Sequence, residues 1–199
     1  MIPASFSFAQ NPNVVFITLD TTRADHIGCY GAKGAETPNI DALAKKGVLF
    51  EEARTNCPLT LPSHAAMLAG SDPSAINLRV NGLVLNAKYP LVQEAFKKKG
   101  YSTVAAVSSI VLEKTRGLSR GFDVYNDRMT TIPRGGGPPE ERSAGDTTSA
   151  ALQEMSRVRG PYFLWVHYYD PHYDYRPPAP WRQKFEKQPY DGEIAYMDS

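Results

Sequence analysis

Two uninterrupted apolar runs, each ending abruptly in polar residues, limit the folds open to this chain. Val14-Val15-Phe16-Ile17-Thr18-Leu19 stops at Asp20-Thr21-Thr22-Arg23, and Tyr162-Phe163-Leu164-Trp165-Val166 stops at His167. A strand with one wet face alternates apolar and polar residues. These runs do not, so both are predicted to be strands buried on both faces, as in a parallel sheet covered by helices. Residues 101–107 give a further strand and residues 48–50 a short one. Helices are predicted between them. One spans 38–46, with Thr37 as N-cap, Pro38 at the first position and Gly47 as the stop; others span 62–70, 91–99 and 147–158, the last capped by Asp146. The Gly- and Pro-rich residues 129–145 read as an exposed loop, and the Pro- and Tyr-rich residues 173–189 as a long, partly ordered one. Strand and helix alternate, which predicts an α/β fold with a mostly parallel sheet sandwiched by helices.

Composition narrows the partners. Lys plus Arg number 22 and Asp plus Glu 21, a net charge of +1, which provides no broad basic face for nucleic acid or an anionic membrane. No stretch reaches the ~18–20 apolar residues of a membrane span. The two cysteines, Cys29 and Cys57, exclude a disulfide scaffold and a four-thiolate zinc site, and leave a single bridge between them open. Residues 1–12 read as a lead-in to a domain over 13–199. Within them Ser5 to Gln10 suits either the tail of an export signal cleaved after Ala9 or an unstructured approach to the first strand. The expected location is therefore extracytoplasmic, periplasmic or secreted. Oligomeric state has no signal in the sequence.

In open α/β sheets ligands sit beyond the carboxyl ends of the strands. The polar clusters at such ends are Asp20-Thr21, Ser108-Ser109 and His167 through His172, with Thr60-Leu61-Pro62-Ser63-His64 just before a helix. Asp20 suits a turn or cap as well as a hard oxygen ligand for a divalent cation. Thr60 suits a plain N-cap, or a hydroxyl held against an anion at a helix N-terminus. His64 reads as a partly buried, hydrogen-bonded histidine or as a contact to an anionic oxygen. His167 and His172 flank Asp170, which raises the weight of a polar site at that strand end. Ser108 and Ser109 alone are turn residues.

Taken in order, these segments resemble the sulfatase family of the alkaline phosphatase superfamily. The resemblance rests on Asn13 through Asp25, Gly28-Cys29-Tyr30-Gly31, Thr37-Pro38-Asn39-Ile40-Asp41, Thr60 through Gly70, Gly117 through Asp123, and His167-Tyr168-Tyr169-Asp170-Pro171-His172. It implies hydrolysis of sulfate esters at a divalent metal, calcium first and magnesium, manganese or zinc as alternatives, with Asp20 and Thr21 at the metal. It implies substrate contacts from Asn81, Ser108, Ser109, His167 and His172. The expected partner is a small-molecule or glycan sulfate or phosphate ester.

Departures from the family pattern matter as much. The family's nucleophile is a Cys or Ser oxidised to formylglycine in a Cys/Ser-x-Pro-x-Arg motif. Here Thr60 stands at that position and His64 replaces the arginine, so no formylglycine is expected. Cys57 is three residues too early, because Pro58 follows it directly. Thr21 replaces the second family aspartate. Threonine nucleophiles occur in relatives acting on phosphoesters and phosphoethanolamine. That keeps a phosphodiesterase, phosphonate hydrolase or phosphoethanolamine transferase as the rival reading, and a non-catalytic binder of anionic glycans as a third. In the family an Asp-His or Asp-Asn pair completing the metal site lies after the region matching 190–198. The resemblance therefore implies an N-terminal portion of a catalytic domain, weak in metal binding and activity by itself.

Overall fold

The computed structural model describes residues 11–133 and 136–199. The proposed signal remnant at Ser5 to Gln10 lies outside them. Four strands form one wholly parallel sheet: β1 (Val14–Leu19), β2 (Ser102–Ala106), β3 (Val124–Asn126) and β4 (Tyr162–Tyr168), in the order β1-β4-β2-β3. Helices α1 (Pro38–Lys46), α2 (Thr60–Ala69), α3 (Val92–Lys98), α4 (Ala144–Met155), α5 (Trp181–Lys184) and α6 (Pro189–Asp198) surround it.

Each face of the sheet has its own core. On one, Leu61, Ala65 and Leu68 of α2 pack with Ala105, Phe163 and Trp165, joined by Leu112, Leu118 and Phe122 from the loops. On the other, Ala151 of α4 packs on Val104, Ala106, Leu164 and Val166. The central strands β2 and β4 are thus buried on both faces, as their unbroken apolar runs require.

The first strand differs from expectation. β1 alternates: Val14 and Phe16 pack into the α2 side, while Val15 and Ile17 are each 50% exposed. It is an edge strand, and α4 covers β2, β3 and β4 but does not extend over β1. The short strand predicted at 48–50 does not form; Val48 and Phe50 lie in open coil on the surface.

Capping also departs from local prediction. Helix α2 begins at Thr60, two residues before Pro62, and Gly70 ends it with φ 59°, a left-handed conformation that glycine adopts without strain. Helix α4 begins earlier than expected and is capped by Ser143, whose hydroxyl accepts from Asp146 N at 3.2 Å. Thr37 occupies the cap position of α1, but its hydroxyl accepts from Gly28 N and donates to Asp41. The free N–H groups of α1 are taken instead by the Asp198 carboxylate from the far end of the chain, at 2.9 Å from Asn39 N and 2.7 Å from Ile40 N. Gly28 has no room for a side chain, because Asp41 fills the space where a Cβ would project.

Candidate active site

The carboxyl ends of β1, β4 and β2 lie side by side, with Thr18 paired to His167 and Ala106 to Val166. Asp20 continues the β1 ladder by donating its N–H to Tyr168 O at 2.9 Å. This places Asp20, His167 and Ser108 together at one rim, beneath the N-terminus of α2. A cleft of about 1110 Å³ opens there, walled by residues 16–22, 53–60, the Ser63, His64, Ala66 and Met67 side of α2, Asn81 and His172.

At its floor the Thr60 hydroxyl donates to Asp20 Oδ2 at 2.9 Å. Thr60 is the first residue of α2, one past the cap position, which Leu59 holds without a side-chain bond. Its hydroxyl is turned to the carboxylate. Asp20 is 9% exposed, and its Oδ1 accepts from Thr21 N at 2.9 Å. Burial pushes its proton affinity up, but hydrogen bonding from His167, with Thr60 adding, holds the carboxyl below its ordinary value. Asp20 is therefore an anion at neutral pH.

Thr21 follows at φ 46°, a left-handed backbone that a β-branched residue adopts only when its surroundings force it. Three hydrogen bonds do so. Its N–H is on Asp20, its hydroxyl donates to Pro171 O, and its own carbonyl accepts from Tyr190 Oη at 2.7 Å. In this arrangement the Thr21 hydroxyl donates to Pro171 O.

The two histidines behind the floor are neutral. His64 is 4% exposed, and burial drives its pKa down to about 3. Its Nδ1 lies 2.7 Å from Thr60 O and so carries the proton, leaving Nε2 with a lone pair and no partner. A lone pair repels an anionic oxygen, so the expected role of His64 as an oxyanion stabiliser does not fit; it holds the Thr60 backbone. His167 is fully buried and also pushed down by burial. Its Nδ1 receives Ser108 N–H at 3.4 Å, which aims Nε2–H at Asp20 Oδ2 across 3.5 Å. His167 thus backs the carboxylate and does not reach the cleft wall.

The other expected contacts divide. Asn81 lines the cleft and accepts Leu61 N–H at 3.0 Å on Oδ1, which leaves its amide nitrogen as the donor it can offer a ligand. His172 lines the cleft too, stacked on Tyr169 at 4.1 Å with Nε2 3.0 Å from the Tyr169 hydroxyl and Nδ1 3.0 Å from Tyr173 O. Ser108 and Ser109 are not at the wall. Ser108 is fully buried and its hydroxyl donates to His167 O, while Ser109 is 1% exposed and caps a single 3-10 turn by accepting from Val111 N.

Sequence reasoning missed Arg54. Among the described residues lining the cleft it is the one Lys or Arg, exposed and only loosely paired with Glu52 at 3.7 Å. A single surface arginine in a loop carries no motif that would have marked it. Cys29 and Cys57 are free thiols, and Cys57 stands on the cleft wall.

A divalent cation needs ~6–8 hard oxygen donors if it is calcium. Asp20 is a buried carboxylate of the right chemistry. Among the described residues, however, no group of three or more His, Cys, Asp or Glu is arranged to hold a metal ion. No helix among them is long and apolar enough to cross a membrane.

The carboxyl-end rim of the parallel sheet thus aligns a hydroxyl with a buried carboxylate. The Sulfatase family model matches residues 12–199, and the chain belongs to that family. Among curated relatives, an ulvan-active sulfatase of Formosa agariphila is 36% identical over 92 residues, 46% of this chain and 18% of that protein. Human arylsulfatase A is 33% identical over 108 residues, 51% of this chain and 21% of that protein. Among solved structures, Ps i-CgsB has a TM-score of 0.79 at 21% identity, covering 95% of this chain and 53% of the other. The phosphonate monoester hydrolase of Agrobacterium radiobacter has a TM-score of 0.75 at 18% identity, covering 94% and 57%. At these identities the structures show the fold. The chain spans about a fifth of these curated relatives' length and about half of these solved chains.

Proposed function

We propose that the protein carrying this chain hydrolyses sulfate esters, with Thr60 as the nucleophile. One observation carries the reading: in a sulfatase-family chain, the residue at the nucleophile position is a threonine whose hydroxyl is hydrogen-bonded to the buried Asp20 carboxylate at 2.9 Å. That bond fixes the hydroxyl's orientation and leaves an oxygen lone pair for an ester placed in the cleft. Thr60 Oγ forms a bond to sulfur as the sulfur–oxygen bond to the leaving alcohol breaks. The Thr60 proton passes along its hydrogen bond to Asp20, and the departing oxygen takes a proton from water. The hydroxide left by that water then attacks the sulfur of the threonyl sulfate, Thr60 Oγ leaves and takes its proton back from Asp20, and hydrogen sulfate is released.

Asp20 would be this chain's ligand to a divalent cation, calcium or its alternatives, which when bound would supply positive charge against the ester oxygens. Arg54 and the Asn81 amide are the donors this chain's cleft offers the anion. Export is the location this reading favours.

A phosphoester or phosphonate substrate is the second reading. It is favoured by the hydroxyl of Thr60, which is not a formylglycine precursor. Fold neighbours occur on both sides, one in complex with its substrate D-glucosamine-2-N,6-O-disulfate and another a phosphonate monoester hydrolase.

Turnover of nitrophenyl sulfate by the purified protein, compared with nitrophenyl phosphodiesters, tests both readings. Thr60→Ala is expected to lower kcat by at least ~10³-fold with the fold intact, the scale of losing a covalent nucleophile. Loss of activity in Cys57→Ala with Thr60→Ala still active would overturn the assignment.

A further inference from the structure

We propose that Glu193 is a positioning residue: from α6 it fastens both ends of the 172–176 loop and so fixes His172 against the cleft wall. Glu193 is 4% exposed, and its two carboxylate oxygens each accept a main-chain N–H of that loop. Oε2 takes His172 N at 3.2 Å, and Oε1 takes Arg176 N. No other side chain type fills the place as well. An amide has one acceptor oxygen, and a shorter or apolar residue leaves one or both N–H groups without a partner.

A carboxylate is a costly choice here, since burial pushes the Glu193 pKa up to about 8, and neighbouring Asp170 and Glu141 push it the same way. Two simultaneous acceptors are what it provides once ionised, above about pH 8, and the comparison with Glu193→Gln is made there. Its helix is itself anchored on the opposite wall. Tyr190 Oη donates to Thr21 O and accepts from Arg23 N at 2.9 Å, and Asp191 meets His26 Nδ1 at 2.5 Å. One helix therefore sets the spacing between the Asp20 loop and His172. The significance for turnover rests on the sulfatase reading; the positioning of His172 does not.

The protein's four histidines make the test tractable, because each ring signal is assignable by single replacement. In Glu193→Gln, the His172 ring resonances are expected to shift or broaden while those of His64 and His167 stay in place. KM for nitrophenyl sulfate is expected to rise about tenfold, with kcat changed far less. In the unaltered protein, amide exchange at His172 and Arg176 is expected to be strongly retarded. An unmoved His172 signal overturns the proposal, as does a shift spread equally over His64 and His167, which marks a purely structural residue. Rapid exchange at both amides overturns it even if the variant does not fold. Absence of any turnover leaves the resonance and exchange outcomes decisive and counts against the sulfatase reading alone.

Discussion

The two walls of the cleft are built to different standards. The inner wall, where β1 meets β4 and α2, is dense: Trp165 and His167 are fully buried, and Trp165 Nε1 donates to Thr18 Oγ1 at 3.1 Å beneath Asp20. The outer wall, residues 53–59 and the outer side of β1, has no regular structure beyond the strand itself. It exposes Ile17, and the coil leading into it exposes Val48 and Phe50. Orientation of Thr60 and Asp20 therefore draws on the packed side alone. Site geometry in this chain is a by-product of core packing, in keeping with the rule that catalytic groups are held by a rigid scaffold.

The strongest way to break that contrast is to hollow the inner wall. Trp165 stacks with Phe122 at 6.1 Å and tilts against His64 at 5.8 Å. Trp165→Ala is expected to cost ~3–5 kcal/mol, the range for emptying a buried aromatic site. It should also loosen His64 and the start of α2. Denaturant unfolding measures the loss, and a cost below ~1 kcal/mol would mean that the inner wall is not the scaffold claimed for it.

Much of this division was readable in advance, for physical reasons that differ by residue. The unbroken run at 162–167 reported β4 correctly because a central parallel strand has two dry faces. The similar run at 14–19 forms β1, at one side of the four strands described, where Val15 and Ile17 are half exposed, and place in the sheet is a property of topology. Asp20 and Thr60 stand where a strand end and a helix start announce themselves locally. Asp198 capping α1, Glu193 holding residues 172 and 176, and Arg54 on the cleft wall have no such local sign. Each depends on chain separations or on cleft geometry that no local pattern encodes. Ser108 shows why position alone says little: a polar residue after a strand looks the same whether it faces a cleft or, as here, a buried histidine.

A second comparison sets Asp20 against Glu193, buried carboxyls with opposite shifts. Asp20 is held below its ordinary value and Glu193 is raised to about 8, with Asp170 beside it raised to about 6, chiefly by burial. The groups facing Glu193 are Asp170, Glu141, His172 and Arg176, so the acidic neighbours reinforce its burial. A folded value above the unfolded one means that the native state holds the proton more tightly. Stability is fullest below the ordinary glutamate range and declines as pH rises toward and through about 8. The slope from Glu193 is at most ~1.4 kcal/mol per pH unit. Glu193→Gln should flatten the dependence between mildly acidic and mildly alkaline pH. Unfolding curves at several pH values measure it, and an unchanged slope would assign the dependence to other groups.

The smallest effect is expected on the outer wall. Ile17 is half exposed on the face of β1 that α4 does not cover, so little apolar area leaves water there when the chain folds. Ile17→Thr keeps the β-branched shape that suits a strand and removes mainly a methyl already in contact with solvent. The expected cost is within ~0.5 kcal/mol, the usual range for surface substitutions. Ala106→Thr, on the covered face of the central strand β2, should cost several times more, because it forces a hydroxyl into the core under α4. If the two substitutions cost the same, the exposed face of β1 is as well packed in solution as the centre of the sheet, and the contrast between the walls disappears.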